Sequence, residues 1–272
     1  MKKFFILTIC ALFIGVVPAF AWGRVGHSSI AKIAEKNLST KAKKQIDKYL
    51  HGESIINYSS YPDFFRTVHL IDIGFDATNE TRMTVWGHSF QANKDGSLYL
   101  SERRGNEYVK NCLLRIDPII KDLKENHRNM TDSARIVSIA FVVHIIGDIH
   151  CPKHVRYEDE QSSGQYPIIF RGKKMSHHAY WDTNLIDTFL FTGFEGVVDL
   201  ADRYSKKEKK EMAKGNLYTW AEETAREFRY TVESREKVKI DIKSAFADSM
   251  LAEKQIARAG YRLAALLNEI FK

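Results

Sequence analysis

Apolar residues recur at helical spacing along most of this chain, and this period limits its possible folds more than any other feature. The terminal stretch is strongly amphipathic, whereas signals for strands are short, the clearest being 167–170. The sequence therefore predicts a mainly α protein with long loops over 68–106 and 151–176. The helical period predicts helices over residues 28–37, 40–50, 107–126, 133–149, 177–189, 206–232 and 247–271.

The first 21 residues have the pattern of a secretory signal peptide. Two lysines precede an apolar run, and the small residues Ala19 and Ala21 follow it. Cleavage after Ala21 would leave Trp22 at the N-terminus of a 251-residue chain (272 − 21). Because no long Gly, Ser or Pro run divides this remainder, we expect one domain over 22–272.

Charge and cysteine content restrict the compartment and the partners. Without Lys2 and Lys3, 39 Lys and Arg face 34 Asp and Glu (41 − 2 against 34), a formal charge of +5. Such a surplus suits a polyanionic partner, but the charges are scattered, which favours a solubilising surface. Cys112 and Cys151 allow at most one disulfide. This sparse use of cysteine, together with the short signal and its paired lysines, indicates a bacterial protein that is periplasmic or secreted. We expect no stable association with a membrane.

The predicted loops over 68–106 and 151–176 are unusually long for a compact domain. Because at most one disulfide is available to stabilise them, a bound metal is the natural alternative. The stretch HIIGDIHCPKH places His144 and Asp148 four residues apart on one helix, so that they point within about 40° of each other. His154 follows Pro152, which should end the helix nearby. His144 and Asp148 could therefore approach one metal ion, and His154 is near enough in sequence to reach the same cavity.

A second stretch, SHHAYWDTNLI, repeats the spacing with His178 and Asp182. Each pair alone is explained equally well by a buried histidine that is hydrogen-bonded to a carboxylate. Two such pairs together with His154 favour zinc, whose protein ligands are imidazole, carboxylate and thiolate. His178 is preferred to His177 because it lies four residues before Asp182.

Five motifs occur in an order that resembles a known family. WGRVGH, YPDFFR, WGHSF, HIIGDIHCPKH and HHAYWD, between residue 22 and about residue 190, are similar to those of zinc-dependent, single-strand-specific nucleases of the S-one/P-one type. The zinc-dependent bacterial phospholipases C are more distant relatives. The resemblance implies the multi-helix, single-domain fold of the phospholipase C and nuclease type, with long loops around a cleft for three Zn²⁺.

The resemblance also implies which residues hold the three zinc ions. The free α-amine and carbonyl of Trp22 would be ligands, so signal cleavage would create part of the site. An α-amine has a pKa near ~8 and can lose its proton to a cation at neutral pH. Asp63 and Asp148 are further implied to be catalytic. The three implied ligand sets are Trp22, His27 and Asp148; Asp63, His88, His144 and Asp148; and His154, His178 and Asp182.

The function that the resemblance implies is a monomeric endonuclease acting on single-stranded DNA and RNA. Products would carry 5′-phosphates, and 3′-nucleotides would be further substrates. A phospholipase C and a non-catalytic periplasmic zinc-binding protein remain alternatives. Asp182 favours the nuclease, because the related lipases typically have glutamate in that pair.

Several positions depart from the family pattern. Ser89 follows His88 where an aromatic that helps to stack a base is usual, which leaves Phe90, Tyr99 and Tyr180 as stacking candidates, although an aromatic in a helical protein is more often core. Cys151 replaces a usual glutamine. It is interpreted, in order of preference, as a buried thiol, a partner of Cys112 or a soft contact near zinc.

Basic residues near the motifs are interpreted as surface charges. Lys94, Lys153 and Arg171 fall in predicted loops, where solvated cations are common. The run KKEKKEMAK at 206–214 is interpreted as an exposed helix start, with nucleic-acid contact as a minor alternative.

Overall fold

A computed structural model describes residues 22–64, 87–158, 167–186, 193–233 and 239–272. The predicted signal peptide, much of the loop over 68–106, part of the loop over 151–176 and the last residues of the helix predicted over 177–189 lie outside these ranges. Among the described residues, no helix is both long and apolar enough to cross a membrane.

Helices dominate the described parts of the chain, which confirms the predicted mainly α class. Single 3₁₀ turns occupy Ile55–Tyr58 and Pro152–His154, and a π-helical turn over Tyr180–Asn184 directly continues α6. The helices are α1 (Gly23–Lys36), α2 (Thr40–Tyr49), α3 (Tyr61–Phe64), α4 (Cys112–Asn126), α5 (Asp132–Asp148), α6 (His177–Ala179), α7 (Phe194–Ala201), α8 (Lys206–Met212), α9 (Leu217–Glu233) and α10 (Ile242–Ile270).

The strands are short and lie beside the helices rather than forming a layer. β1 (Phe90–Ala92) pairs in parallel with β4 (Val155–Tyr157), and this pairing connects two segments that precede and follow the central helices. β2 (Arg103–Arg104) and β3 (Glu107–Tyr108) form a small hairpin. The predicted strand over 167–170 is confirmed as β5 (Pro167–Phe170), which lies between β6 (Lys173–Ser176) and β7 (Lys239–Ile240).

Helix α5 is the buried centre of the fold. Nearly every side chain from Ala134 to Asp148 is inaccessible to solvent, so the helix is buried around its whole circumference. Helices α1, α4 and α10 pack against it. A metal ligand at its C-terminal end is therefore held by packing from several directions.

Two predicted helices have different bounds because of local turn chemistry. The helix predicted over 206–232 is interrupted between α8 and α9, where Gly215 adopts a left-handed φ of 102° and Asn216 caps the next turn. The helix predicted over 107–126 begins only at Cys112, where the side chain of Asn111 accepts from the Leu113 amide.

Helix α1 begins at Gly23, five residues before the predicted start. The preceding Trp22 is fully buried, and its indole Nε1 donates to the carbonyl of Gly147 over 2.9 Å. Burying an aromatic side chain of this size contributes about 4–6 kcal/mol at ~25 cal/mol per Å². This burial holds the start of α1 against the end of α5.

A buried histidine outside the predicted ligand sets connects α5 to α10. Nδ1 of His150 donates to the Ile146 carbonyl over 2.7 Å, and Nε2 accepts from the Arg262 guanidinium over 2.9 Å. Burial and the charge of Arg262 lower the pKa of His150 well below its ordinary value. The imidazole is therefore neutral in the folded protein.

This neutral histidine should make stability depend on pH. Below pH 6.5 the unfolded chain protonates His150 and the folded chain does not, so the free energy of unfolding should fall with acidification, by up to ~1.4 kcal/mol per pH unit from this group. Urea unfolding between about pH 5 and pH 8 measures the slope. His150→Gln should lower the number of protons taken up on unfolding by up to one, which makes the slope shallower; equal slopes for the wild type and this variant would contradict the assignment.

Candidate metal centre

The last turn of α5 contributes two of the predicted ligands. Nε2 of His144 lies 3.1 Å from Oδ2 of Asp148, as expected for residues four apart on one helix face. Both side chains are completely buried. The first predicted His and Asp pair is therefore a contact inside the protein.

Helix α1 brings His27 to the same carboxylate. Nε2 of His27 is 3.3 Å from Oδ1 of Asp148, and its ring stacks on His144 with the centroids 4.3 Å apart. Gly147 allows this approach, since a Cβ there would lie 2.9 Å from Nδ1 of His27. The two oxygens of Asp148 thus face histidines from different helices.

Asp63 from α3 and His88, which precedes β1, complete the group around Asp148. Nδ1 of His88 lies 3.2 Å from Oδ2 of Asp148 and 3.4 Å from Oδ1 of Asp63. It is also 3.0 Å from Nε2 of His144. Two sets of possible ligand atoms each lie within 4.8 Å of one another: those of His27, Asp63 and His144, and those of His88, His144 and Asp148.

The remaining predicted ligands lie beside this group. Nε2 of His178 is 2.5 Å from Oδ2 of Asp182, so the second predicted pair is also in contact. His154 approaches both pairs: its ring is 5.7 Å from that of His178, and its Nδ1 is 3.9 Å from Oδ2 of Asp148. The fold therefore gathers all of the predicted side-chain ligands in one region.

Two of the histidines are oriented by backbone carbonyls. Nδ1 of His144 donates to the carbonyl of Ser59 over 2.8 Å, and Nδ1 of His154 donates to that of His88 over 2.5 Å. In the neutral form of each ring these bonds place the hydrogen on Nδ1, so that Nε2, which faces the cluster, is the nitrogen available to a metal. Such a second hydrogen bond is typical of metal-binding histidines.

Many polar atoms of the cluster lack hydrogen-bond partners within the described residues. An unsatisfied buried carboxylate or imidazole is costly, and a bound cation would satisfy several of them together. The donor set, imidazole nitrogens and carboxylate oxygens, is the one that zinc uses. The atoms concerned are Nδ1 and Nε2 of His27, both carboxylate oxygens of Asp63 and Asp148, Nε2 of His154, Nδ1 and Nε2 of His178, and Oδ2 of Asp182.

Burial and charge set the protonation of the cluster. Burial lowers the pKa of His154 to about 4. Burial, with the nearby charge of Arg156, lowers that of His178 to about 3. Both imidazoles are therefore in the neutral, ligating form at pH 7. Burial opposes a charge on His144, but the carboxylates of Asp148 and Asp63 raise its pKa to about 9. The pair of acids thus retains a positive charge beside it, and a divalent cation can replace that proton.

Trp22 lies next to these residues through its bond to the carbonyl of Gly147, the residue before Asp148. Gly23 follows with a left-handed φ of 57°, and a Cβ there would meet the carbonyl oxygen of Asp182 at 2.6 Å. The start of α1 therefore lies between the two His and Asp pairs. This placement is compatible with a ligand role for the Trp22 amine.

The structure shows which of His177 and His178 contacts Asp182, and whether Cys112 and Cys151 form a disulfide. His177 points into the core, where Nε2 accepts from the indole of Trp181 over 3.0 Å, while His178 meets Asp182. Cys112 and Cys151 are both buried and free. The thiol of Cys151 lies 3.8 Å from Oδ1 of Asp182, which agrees with the preferred interpretation as a buried thiol.

The stacking candidates and one basic residue differ from the sequence-based expectations. Phe90 and Tyr180 are fully buried and cannot stack on a base, whereas Tyr99 is partly exposed with the guanidinium of Arg104 4.1 Å from its ring centre. Lys153 was expected to be a solvated surface charge, but it is 1% exposed. It lies in the 3₁₀ turn between Pro152 and His154, all three residues of which are buried.

Some contributors to the cluster were not predicted. The carbonyls of Ser59 and His88 orient two of the ligands, and Gly147 allows His27 to approach closely. A pattern of side chains cannot predict such contacts with the backbone. Only the burial of Lys153 had a possible signal, its place inside the HCPKH motif. Lys94 and Arg171 are exposed, as expected.

Comparison with known proteins agrees with this geometry. The model of the S1/P1 Nuclease family matches residues 22–272. Endonuclease 2 of Arabidopsis thaliana is 24% identical over 92% of this chain and 90% of its own length, and Endonuclease 1 of the same plant is 26% identical over 98% and 91%. Nuclease S1 of Aspergillus oryzae (strain ATCC 42149 / RIB 40) is 24% identical over 61% of this chain and 55% of its own length.

Proposed function

The chain belongs to the S1/P1 nuclease family, and we propose that it is a zinc-dependent endonuclease that hydrolyses phosphodiester bonds of single-stranded DNA and RNA. Its products would carry 5′-phosphates, and the same site would remove the 3′-phosphate of nucleotides. The observation that best supports this proposal is the group of buried imidazoles and carboxylates around Asp148, many of whose ligand atoms have no hydrogen-bond partner among the described residues.

We propose three Zn²⁺ as cofactors. Asp148 is suited to bridge two of them, because one of its oxygens faces His27 and the other faces His88 and His144. The pair of His178 and Asp182 with His154 would form the third site. The proposed sets are Trp22, His27 and Asp148; Asp63, His88, His144 and Asp148; and His154, His178 and Asp182.

The residues of the chain have separate tasks in this proposal. Bound zinc would supply a hydroxide at neutral pH and stabilise negative charge on the phosphate. Asp63 and Asp148 are the proposed catalytic residues, since their carboxylate oxygens lie beside the imidazoles without hydrogen-bond partners among the described residues and would hold the ions that activate the water. The carbonyls of Ser59 and His88 keep two imidazoles in their ligating tautomer. No side-chain nucleophile is required.

We further propose that residues 1–21 are a signal peptide that is removed, and that 22–272 form one nuclease domain that acts as a monomer. The sequence supports this cleavage point, because the small residues Ala19 and Ala21 follow the apolar run. The enzyme would then act in the periplasm or outside a bacterial cell.

The test is hydrolysis by purified protein with a verified Trp22 terminus and added zinc. We expect single-stranded DNA and RNA to be cut, matched duplex DNA to be resistant, and EDTA to abolish cutting. Cleavage of phosphatidylcholine without cleavage of DNA would overturn the proposal in favour of a phospholipase C. Bound zinc without either activity would indicate a non-catalytic zinc-binding protein.

A further inference from the structure

Lys and Arg are scattered along residues 22–272, but their surplus over Asp and Glu is concentrated in two segments that are far apart in the sequence. Residues 36–48 contain five Lys and one Asp, and residues 202–214 contain six Lys or Arg and three Asp or Glu. Together they carry a formal +7 (11 − 4). The rest of 22–272 therefore carries −2 (5 − 7), so these segments account for the entire positive surplus.

The fold brings these two segments together. The ammonium of Lys209 on α8 lies 3.4 Å from Oδ1 of Asn37 at the end of α1, and Asp202 pairs with both Lys209 and Lys36. The side chain of Asn268 accepts from the Ser39 amide at the start of α2 and donates to the carbonyl of Asn37. The end of α1, α2 and α8 thus form one surface, which we call the basic end.

A cavity of about 320 Å³ lies within the basic end. It is lined by Lys206, Lys209 and Lys210 of α8, and by Ala213, which follows α8, and Ala264 and Ala265 of α10. Most lysines of the basic end make no ion pair with another described residue. They are Lys41, Lys44, Lys48, Lys206, Lys207 and Lys210.

The basic end is separate from the metal cluster. His27 lies near the start of α1 and Lys36 at its end, and a rise of 1.5 Å per residue puts them ~14 Å apart along the axis. A short nucleotide bound at the cluster would not reach the lysines of α8. A longer strand could contact both regions.

We propose that the basic end binds the phosphate backbone of a nucleic acid strand outside the metal cluster. Clustered lysines recognise phosphates as point charges, without base preference, and the affinity depends on salt because counterions are released. This inference goes beyond the proposed function, since such binding requires no hydrolysis. It predicts an enzyme that favours long substrates.

The test compares a triple variant with a charge-matched control. Lys206→Glu, Lys207→Glu and Lys210→Glu alter only exposed positions and leave the Ser205 and Glu208 capping box intact. The control carries Lys121→Glu, Lys243→Glu and Lys272→Glu, which are exposed lysines elsewhere. Zinc-loaded protein is titrated with a labelled phosphorothioate oligothymidylate of about 20 nucleotides, which resists cleavage.

We expect the triple variant to bind at least ~10-fold more weakly than the control, with a plot of log K against log salt that is shallower by about 2. Cleavage of a dinucleotide should be unchanged, whereas the advantage of a 20-nucleotide substrate should be lost. Equal affinities of the two variants would overturn the proposal. So would loss of binding to phosphatidylglycerol vesicles while oligonucleotide binding persists, which would make the basic end a membrane surface.

The inference and the proposed function can fail separately. If the wild type cuts single strands without a preference for length, and the triple variant behaves like it, only the binding role of the basic end is refuted. Protein that binds the oligonucleotide through these lysines but cuts no nucleic acid with zinc would refute only the nuclease.

Discussion

Replacing Asp148 by asparagine should abolish nuclease activity, lowering kcat by about 10³-fold or more. The reason is that each oxygen of Asp148 faces a different set of imidazoles, so two proposed zinc sites lose a charged ligand together. Loss of one supporting contact at a metal site typically costs 10–100-fold, and two such losses should multiply. Steady-state cleavage of single-stranded DNA and elemental analysis of the same protein measure the effect.

The metal content separates this role from a general loss of structure. Asp148→Asn should retain about one zinc of three, whereas Asp182→Asn, which affects only the set with His154 and His178, should retain about two. Asp122→Asn, on α4 and hydrogen-bonded only to Asn126 among the described residues, is the matched control and should retain all three. Near-normal turnover by Asp148→Asn would remove this residue from the bridging role.

A protein with one extra glycine before Trp22 should lose one zinc and at least ~10²-fold of its activity. The extension converts the α-amine into an amide, which cannot ligate as a neutral amine, while the indole remains available for the core. Mass spectrometry of the terminus, metal analysis and cleavage assays on the two proteins give the comparison. An extended protein with full metal content and turnover would show that the terminus is not a ligand.

Trp22→Phe is the complementary variant. It keeps the free amine and removes the hydrogen bond from Nε1 to the Gly147 carbonyl, together with part of the buried ring. We expect the three zinc ions to remain, with a loss of unfolding free energy of about 1–3 kcal/mol. The two changes thus distinguish the proposed chemical role of this terminus from its structural role.

Local patterns predicted the helices well where a single element decides the outcome. The four-residue spacing in HIIGDIH places His144 and Asp148 on one turn, and the structure has them 3.1 Å apart. The same rule correctly selected His178 over His177 as the neighbour of Asp182. The mainly α class followed from the same period, because it is repeated over many turns.

Local patterns failed where a distant contact or a single turn residue decides. Gly215 splits the helix expected over 206–232, since its left-handed backbone outweighs the helical preference of the flanking lysines and alanines. Lys153 is enclosed although isolated lysines in loops are normally solvated. Phe90 and Tyr180 were possible stacking residues by type, but the paired strand β1 and the π-helical turn place both in the core.

What the sequence by itself determined is therefore the chemistry and the elements: a mainly α chain with two His and Asp pairs, and motifs that are similar to one family. The tertiary structure alone decided that His27 meets Asp148 across 121 positions (148 − 27), that the carbonyls of Ser59 and His88 orient His144 and His154, and that two lysine-rich segments form one surface. The physical reason is how far apart in the sequence the contacting residues lie. Spacing along one helix follows from the backbone geometry, whereas contacts between distant segments depend on how the whole core packs around α5.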